Sequence, residues 1–408
     1  MKICQVGTGF VPVQPDVTGG AEKYVHHLSE ALQYLGHKVT VIDMPTDSAS
    51  PSLYRRLEVP LRWRYRFNVL AHSLRGLIFG WEAARLVGRL IEADEVDLVS
   101  FHSQFTGATG IPVARKRGVP TLFTMHNPLW SDARACQNGL QRAKFWLERR
   151  SEMMADAVIG LSQHVTDHRE RFFGLRPAKS TVVPVAIDDS WFQAITVTPR
   201  VIEKYASEGE PLILVVGRLA RYKNQLLVAK ALPRLLAGVP KVRVVFAGPL
   251  DSLSYLRDVQ AAVAEAHAET RVIFAGALPL EELAQLFPLA QAFVLPSLQE
   301  NCPQVLLEAM AQGKAIVASD IAPVREMLPE GTAVLVPPTD PDALASAVLR
   351  LLDDERLRGE LGFSARQRAH DVYRWEVVAR RAVEAYREPL SARTRQADRQ
   401  SGCLPVEG

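Results

Sequence analysis

Cysteine is scarce and there is no long apolar run. The four cysteines, Cys4, Cys136, Cys302 and Cys403, are scattered over 408 residues with no C-x-x-C pair. That spacing argues against a disulfide framework or a structural zinc site and fits a reducing cytoplasm. No window approaches the ~18 consecutive apolar residues of a membrane span. The opening MKICQVGTGF enters a buried-strand pattern directly. It lacks the basic region, apolar stretch and cleavage site of a secretory signal, so a cytoplasmic protein is expected. Charge of one sign is not in excess either, the net being +3. It is unevenly spread, because residues 51–90 hold eight arginines against two glutamates.

What is present is strand–helix alternation. Short apolar, β-branched runs at Lys2–Val6, Lys38–Ile42, Val96–Ser100, Pro120–Met125, Asp156–Leu161 and Thr181–Val185 are expected as strands. A second series follows at Leu212–Val216, Val242–Phe246, Arg271–Phe274, Ala292–Leu295, Ala315–Ala318 and Ala333–Val336. The stretches between them carry i, i+3, i+4 apolar spacing, as in Tyr24, Val25, Leu28, Leu32 and Leu35. Continuous apolar strands alternating with helices imply parallel sheets covered on both faces. The fold class is therefore α/β, with two Rossmann-like doubly wound domains. The expected domains are 1–190, completed by a helix over 371–390, and 195–370, with 391–408 as a flexible tail. The polar, proline-bearing stretch 187–211 reads as the linker.

Open parallel sheets bind ligands beyond the carboxyl ends of their strands, where helix N-termini attract anions. Three loops have the right content. Gly19–Gly20 precede an amphipathic helix, so backbone can approach an anion closely. In VVGRLARYKNQ, Arg218 and Lys223 flank a strand end and a helix start, which suits a diphosphate. In LQENCPQVLLEAMAQG, Glu300 lies in the loop and Pro303 can occupy the first helical turn. The amides of Gln304 and Val305 then face the binding cleft. Glu308 follows in the second turn, leaning back toward the N-terminus. Val305, Leu306, Leu307, Ala309 and Met310 surround it, and an acid in an apolar run needs a partner.

These residues resemble one known family, the retaining GT-B-fold glycosyltransferases of glycosyltransferase family 4 (group 1), which includes bacterial mannosyltransferases and sucrose synthases. The resemblance rests on GGAE (Gly19–Glu22), TMHNP with His126, VVGRLARYKN, FAGP (Phe246–Pro249), the E-x7-E pair Glu300 and Glu308, and DVYRWEVVARRAVEAY, which looks like the terminal helix crossing back to the first domain. It implies a second domain that binds a nucleotide-diphosphate sugar (a UDP- or GDP-hexose) and a first domain that supplies most of the acceptor site. By the resemblance, Glu308 accepts from the ribose hydroxyls, Arg218 and Lys223 hold the diphosphate, and Glu300 contacts the transferred sugar. His126 hydrogen-bonds that sugar near the reacting centre, and Gly19–Gly20 contact phosphate from the first domain. It further implies retention of anomeric configuration, a saccharide or lipid-linked acceptor, and no metal or other cofactor. Relatives often carry glycine and a bulky apolar residue after the loop acid, where this chain has Asn301 and Cys302.

Other readings have specific requirements. A dinucleotide oxidoreductase wants G-x-G-x-x-G after the first strand, but position 12 is Pro12. The metal-dependent transferases of the other main fold need a D-x-D at a strand end. The only one here, Asp340-Pro-Asp342, precedes a helix and reads as its N-cap. His164 and His168 have i, i+4 spacing without the H-E-x-x-H glutamate. A glycosidase using Glu300 and Glu308 leaves Arg218 and Lys223 without a role, whereas a nucleotide-sugar-binding protein without turnover keeps every motif. Pro233 is expected to kink or end its helix. Through 55–81 and just beyond it, Trp63, Phe67, Leu70, Leu74, Leu77, Trp81 and Ala84 form a helical apolar seam beside arginines. That seam either packs on the first sheet or meets an anionic membrane. No module for nucleic acid accompanies the charge.

Overall fold

The computed structural model describes residues 1–15, 20–46, 51–59, 69–126, 139–173, 180–206 and 210–400, with backbone alone at 69–72, 168, 170–173 and 392–400. The chain forms two compact units, Met1–Val185 with the segment from Trp375 onward, and Ala186–Arg374.

In the first unit the strands are β1 (Lys2–Val6), β2 (Lys38–Asp43), β3 (Arg55–Glu58), β4 (Leu98–Phe101), β5 (Thr121–Met125), β6 (Ala157–Gly160) and β7 (Ser180–Val182). They make one parallel sheet ordered β3-β2-β1-β4-β5-β6-β7. The second unit has β8 (Leu212–Val216), β9 (Arg243–Ala247), β10 (Val272–Gly276), β11 (Ala292–Leu295), β12 (Ile316–Ser319) and β13 (Val334–Val336). These are parallel too, in the order β10-β9-β8-β11-β12-β13. Every residue of β8 and β11 is buried, as strands covered on both faces require. Each sheet reverses its strand order once, at β1/β4 and at β8/β11. Helices on the two sides of such a reversal diverge and leave a crevice at the carboxyl ends.

Several expectations change. β3 was not anticipated, because RRLE is a polar, half-exposed edge strand that pairs only with β2. Within the expected linker 187–211, described residues pack on the second unit. Trp191 is buried edge-on against Phe287 at 5.5 Å, and Thr198 is bonded to Gln285. The entry and exit of the second unit are pinned together: Ile187 N–H donates to the Tyr373 carbonyl at 2.8 Å, and Arg374 holds Asp189 through its Nε and Nη2. The helix Gln225–Gly238 continues past Pro233 and does not end there. The terminal helix spans Trp375–Gln400, so residues 391–400 are helical rather than a flexible tail; 401–408 lie outside the described residues.

The basic stretch gives the largest correction. Residues 60–68 lie outside the description. The helix Val69–Glu92 buries Phe79, Ala83, Ala84, Val87 and Leu90; of the expected seam's residues with described side chains, Ala84 alone is fully buried and Leu77 is half-buried. Leu74, Ile78 and Trp81 are 52%, 38% and 64% exposed. The buried face is set by close approach to the helix Gln104–Lys116. A Cβ on Gly76 would stand 2.6 Å from the Phe105 ring, and one on Gly80 would stand 2.8 Å from the Phe105 carbonyl oxygen. Gly80→Ala should therefore cost about 1–3 kcal/mol of stability through overpacking. Gly88→Ala meets only an ordinary 3.5 Å contact with Arg117 and should be neutral or stabilising by up to about 1 kcal/mol. Urea unfolding midpoints of the two variants check this.

Candidate functional site

On one side of the β8/β11 reversal, β8 and β9 are each followed by a glycine, Gly217 and Gly248, and β10 ends in Gly276. At Gly248, with φ of 146°, a Cβ would stand 2.2 Å from the Gly217 carbonyl oxygen. Only glycine lets the two strand ends converge there. They are tied by Gly217 N–H to the Ala247 carbonyl at 2.9 Å and Leu219 N–H to that of Pro249 at 2.8 Å. Arg218 projects from this junction, half exposed, with its Nη1 3.4 Å from Asp251 Oδ1.

Lys223 is placed by its two successors. Asn224 adopts the left-handed conformation (φ 56°), and its amide donates to the carbonyls of Pro296 at 3.0 Å and Pro338 at 2.9 Å. Gln225 Nε2 donates to the Arg218 carbonyl at 3.0 Å. Lys223 Nζ then lies 2.6 Å from Glu300 Oε1, both side chains largely buried. Glu300 also accepts from Ser297 Oγ at 2.7 Å. The loops after β8 and β11 are thus joined across the reversal by one ion pair, and Leu298 N–H adds a 2.8 Å bond to the Tyr222 carbonyl.

The helix Gln304–Ala311 starts one residue later than expected, with Pro303 as its extended N-cap (ψ 114°) instead of in the first turn. No side chain caps it. The first-turn amides of Gln304 and Val305 have no acceptor within their own helix and sit at its positive end. Glu308, one turn on, is buried along with Leu306, Leu307, Ala309 and Met310. It is not a solvated helix acid. Asp340 is the N-cap of the helix Pro341–Asp353, accepting from Ala343 N–H at 2.9 Å, while Asp342 pairs with Arg234. Capping accounts for the D-x-D.

The β1/β4 reversal of the first unit is lined by polar groups, and its nearby cation, Arg56, is turned to Asp43 at 3.7 Å. Thr8 Oγ1 donates to the buried Glu22, clamping the loop after β1 to the helix Gly20–Tyr34. Gly19 lies outside the described residues. A Cβ on Gly20 would meet nothing within 4 Å, so no steric demand inside this unit requires glycine there. Asp43, at the end of β2, is spent on the Val13 and Met44 amides at 2.9 and 2.7 Å, and burial pushes its carboxyl up to about 6. In a dinucleotide fold an acid in this region would take a ribose hydroxyl. His126 follows β5, with Nε2 2.9 Å from Nδ1 of His102, a buried residue of the loop after β4. Sequence reasoning missed His102, Asn224 and Ser297. Each sits in a loop after a strand, Asn224 just before the helix Gln225–Gly238, where its residue type alone gives no strong signal.

Two family models match the chain, "Glycosyl transferases group 1" over residues 198–368 and "Glycosyltransferase Family 4" over 18–191. Alpha-maltose-1-phosphate synthase of Mycolicibacterium smegmatis is 31% identical over 315 residues, 72% of this chain and 80% of that protein. Glycogen synthase of Mycobacterium tuberculosis is 29% identical over 411 residues, 95% of this chain and 94% of that protein. Among solved structures, sucrose-phosphate synthase of Thermosynechococcus elongatus superposes with a TM-score of 0.74 at 23% identity, covering 96% of this chain and 99% of that one.

The two histidines give a pH prediction. Burial holds His102 well below the ordinary imidazole value and lowers His126 to about 3. Below about pH 6.5 the unfolded chain therefore takes up protons on these rings that the folded chain does not, so stability falls as pH drops. His126 should contribute about 2 kcal/mol of loss between pH 7 and pH 5, and His102 a loss of the same sign. Urea unfolding at both values checks this, and His102→Gln should remove about one ring's share of the difference.

Proposed function

The chain belongs to the group 1 glycosyltransferases (glycosyltransferase family 4), and we propose that it moves a hexosyl unit from a UDP- or GDP-hexose to a saccharide or lipid-linked acceptor with retention of anomeric configuration. The observation that carries this reading is the Lys223–Glu300 pair at the β8/β11 reversal, beside the first-turn amides of Gln304 and Val305. Cation and amides suit the diphosphate, whose charge grows as its bond to the sugar breaks. Arg218 adds a forked donor, Glu300 takes sugar hydroxyls, and Glu308 takes the ribose hydroxyls. His126 presents a neutral ring to the sugar. The acceptor oxygen bonds to the anomeric carbon on the face the diphosphate leaves, and its proton passes to the departing phosphate oxygen. This scheme uses the donor as co-substrate and draws on no metal or other cofactor.

Membrane contact is the second reading, favoured by one observation. Leu74, Ile78, Trp81, Arg85 and Arg89 are all exposed at helical spacing on the helix Val69–Glu92. An apolar row ending in two arginines, preceded in sequence by Arg62, Arg64 and Arg66, matches an anionic lipid surface. No described helix is long and apolar enough to cross a membrane.

A donor-hydrolysis screen over UDP- and GDP-hexoses should find at least one that is turned over. Binding without turnover of any would instead favour a nucleotide-sugar-binding protein. Glu308→Ala should weaken donor binding by about 1.5–3 kcal/mol, roughly 10- to 150-fold, in calorimetric titration; unchanged affinity removes its ribose role. Replacing Leu74 and Trp81 together by serine should abolish co-sedimentation with anionic vesicles while leaving donor hydrolysis intact. Unaltered sedimentation, or none by the unsubstituted protein, ends the membrane reading.

A further inference from the structure

A chain of hydrogen-bonded side chains runs from the half-buried His126 through buried residues to the terminal helix. His126 Nε2 is 2.9 Å from His102 Nδ1, and His102 Nε2 is 2.7 Å from Gln5 Oε1. Gln5 Nε2 in turn lies 3.1 Å from the Tyr386 hydroxyl. Gln5 and Tyr386 are 0% exposed and His102 is 3% exposed, so water does not compete for the bonds among these three. The four residues come from β1, the loop after β4, the end of β5 and the helix Trp375–Gln400. The same helix supports the histidine from another side: Tyr24 stands edge-on to His126 at 5.1 Å and to Trp375 at 5.7 Å.

With the Gln5 amide nitrogen turned to Tyr386, the proton order of the chain follows. Gln5 Oε1 accepts, so His102 carries its proton on Nε2 and offers the Nδ1 lone pair. His126 must then carry its proton on Nε2 and keep its own Nδ1 as an acceptor. We propose that Gln5, His102 and Tyr386 are positioning residues that lock His126 as the neutral Nε2–H tautomer, so that Nδ1 accepts a hydrogen bond from a hydroxyl of the transferred hexose. This rests on the transferase reading above and adds a reason for the lock. Positive charge builds on the sugar ring as the diphosphate leaves, and an imidazolium beside it would oppose that step. A neutral ring fixed as an acceptor orients the sugar without that penalty.

The tautomer can be read without any substrate. Nitrogen-15 NMR of the histidine rings at neutral pH should show His126 neutral and protonated on Nε2. In Gln5→Met and Tyr386→Phe that signal should shift toward a mixture of tautomers. Both variants should lose roughly 10- to 100-fold in kcat while KM for the donor stays within about threefold. A merely structural role would lower the melting temperature and leave the tautomer and kcat of the folded fraction unchanged. Tyr386→Phe removes a single hydroxyl, so it remains informative if Gln5→Met does not fold. His126 found on Nδ1–H, found charged, or unmoved in both variants overturns the proposal. If the tautomer is as stated but no hexose donor is ever turned over, the relay stands and the transferase reading fails.

Discussion

One lysine–carboxylate pair lies at the centre of the second unit's site. Lys223 and Glu300 belong to loops after β8 and β11, the two strands between which the sheet reverses its order. The reversal opens a crevice there, and two largely buried opposite charges 2.6 Å apart hold its rims together. Neither charge is stable alone at that depth, since removing one partner of a buried pair leaves the other uncompensated. The neighbouring features serve that placement. Gly217 and Gly248 let the adjoining strand ends converge, and Asn224 accepts a left-handed backbone while tying two further strand ends together. Ser297 fixes the carboxylate's second contact.

The first unit uses the same sheet topology with the opposite electrostatics. At its reversal the charged groups are neutralised or spent: Asp43 on two amides, Glu22 on Thr8, His102 and His126 deprotonated by burial. A site that holds a diphosphate needs cations and free amides, whereas one that holds sugar hydroxyls needs neutral donors and acceptors in fixed directions. The reversal of the second unit presents the former kind of group and that of the first unit the latter.

The sheets were legible because continuous apolar strands leave little ambiguity. β1, β8 and β11 fall where the hydrophobic runs place them, residue for residue. β3 was not legible, because an edge strand of Arg-Arg-Leu-Glu has no apolar period to detect. The helix Val69–Glu92 was misread for a related reason. Its packing face is set by two glycines, Gly76 and Gly80, pressed on Phe105, so the bulky residues that dominate the pattern point outward. At the site, Lys223, Glu300 and Glu308 stood out because charge beside apolar sequence demands explanation. His102, Gln5 and Tyr386 did not, since their bonds connect residues up to 381 positions apart.

The most direct test compares nucleoside diphosphates with monophosphates of the same base by isothermal titration calorimetry. If Lys223 and its neighbours form a diphosphate site, UDP or GDP should bind roughly 10- to 100-fold more tightly than UMP or GMP. Most of that gap should disappear in Lys223→Ala. Equal affinities in the unsubstituted protein, or a gap untouched by the substitution, would contradict the account.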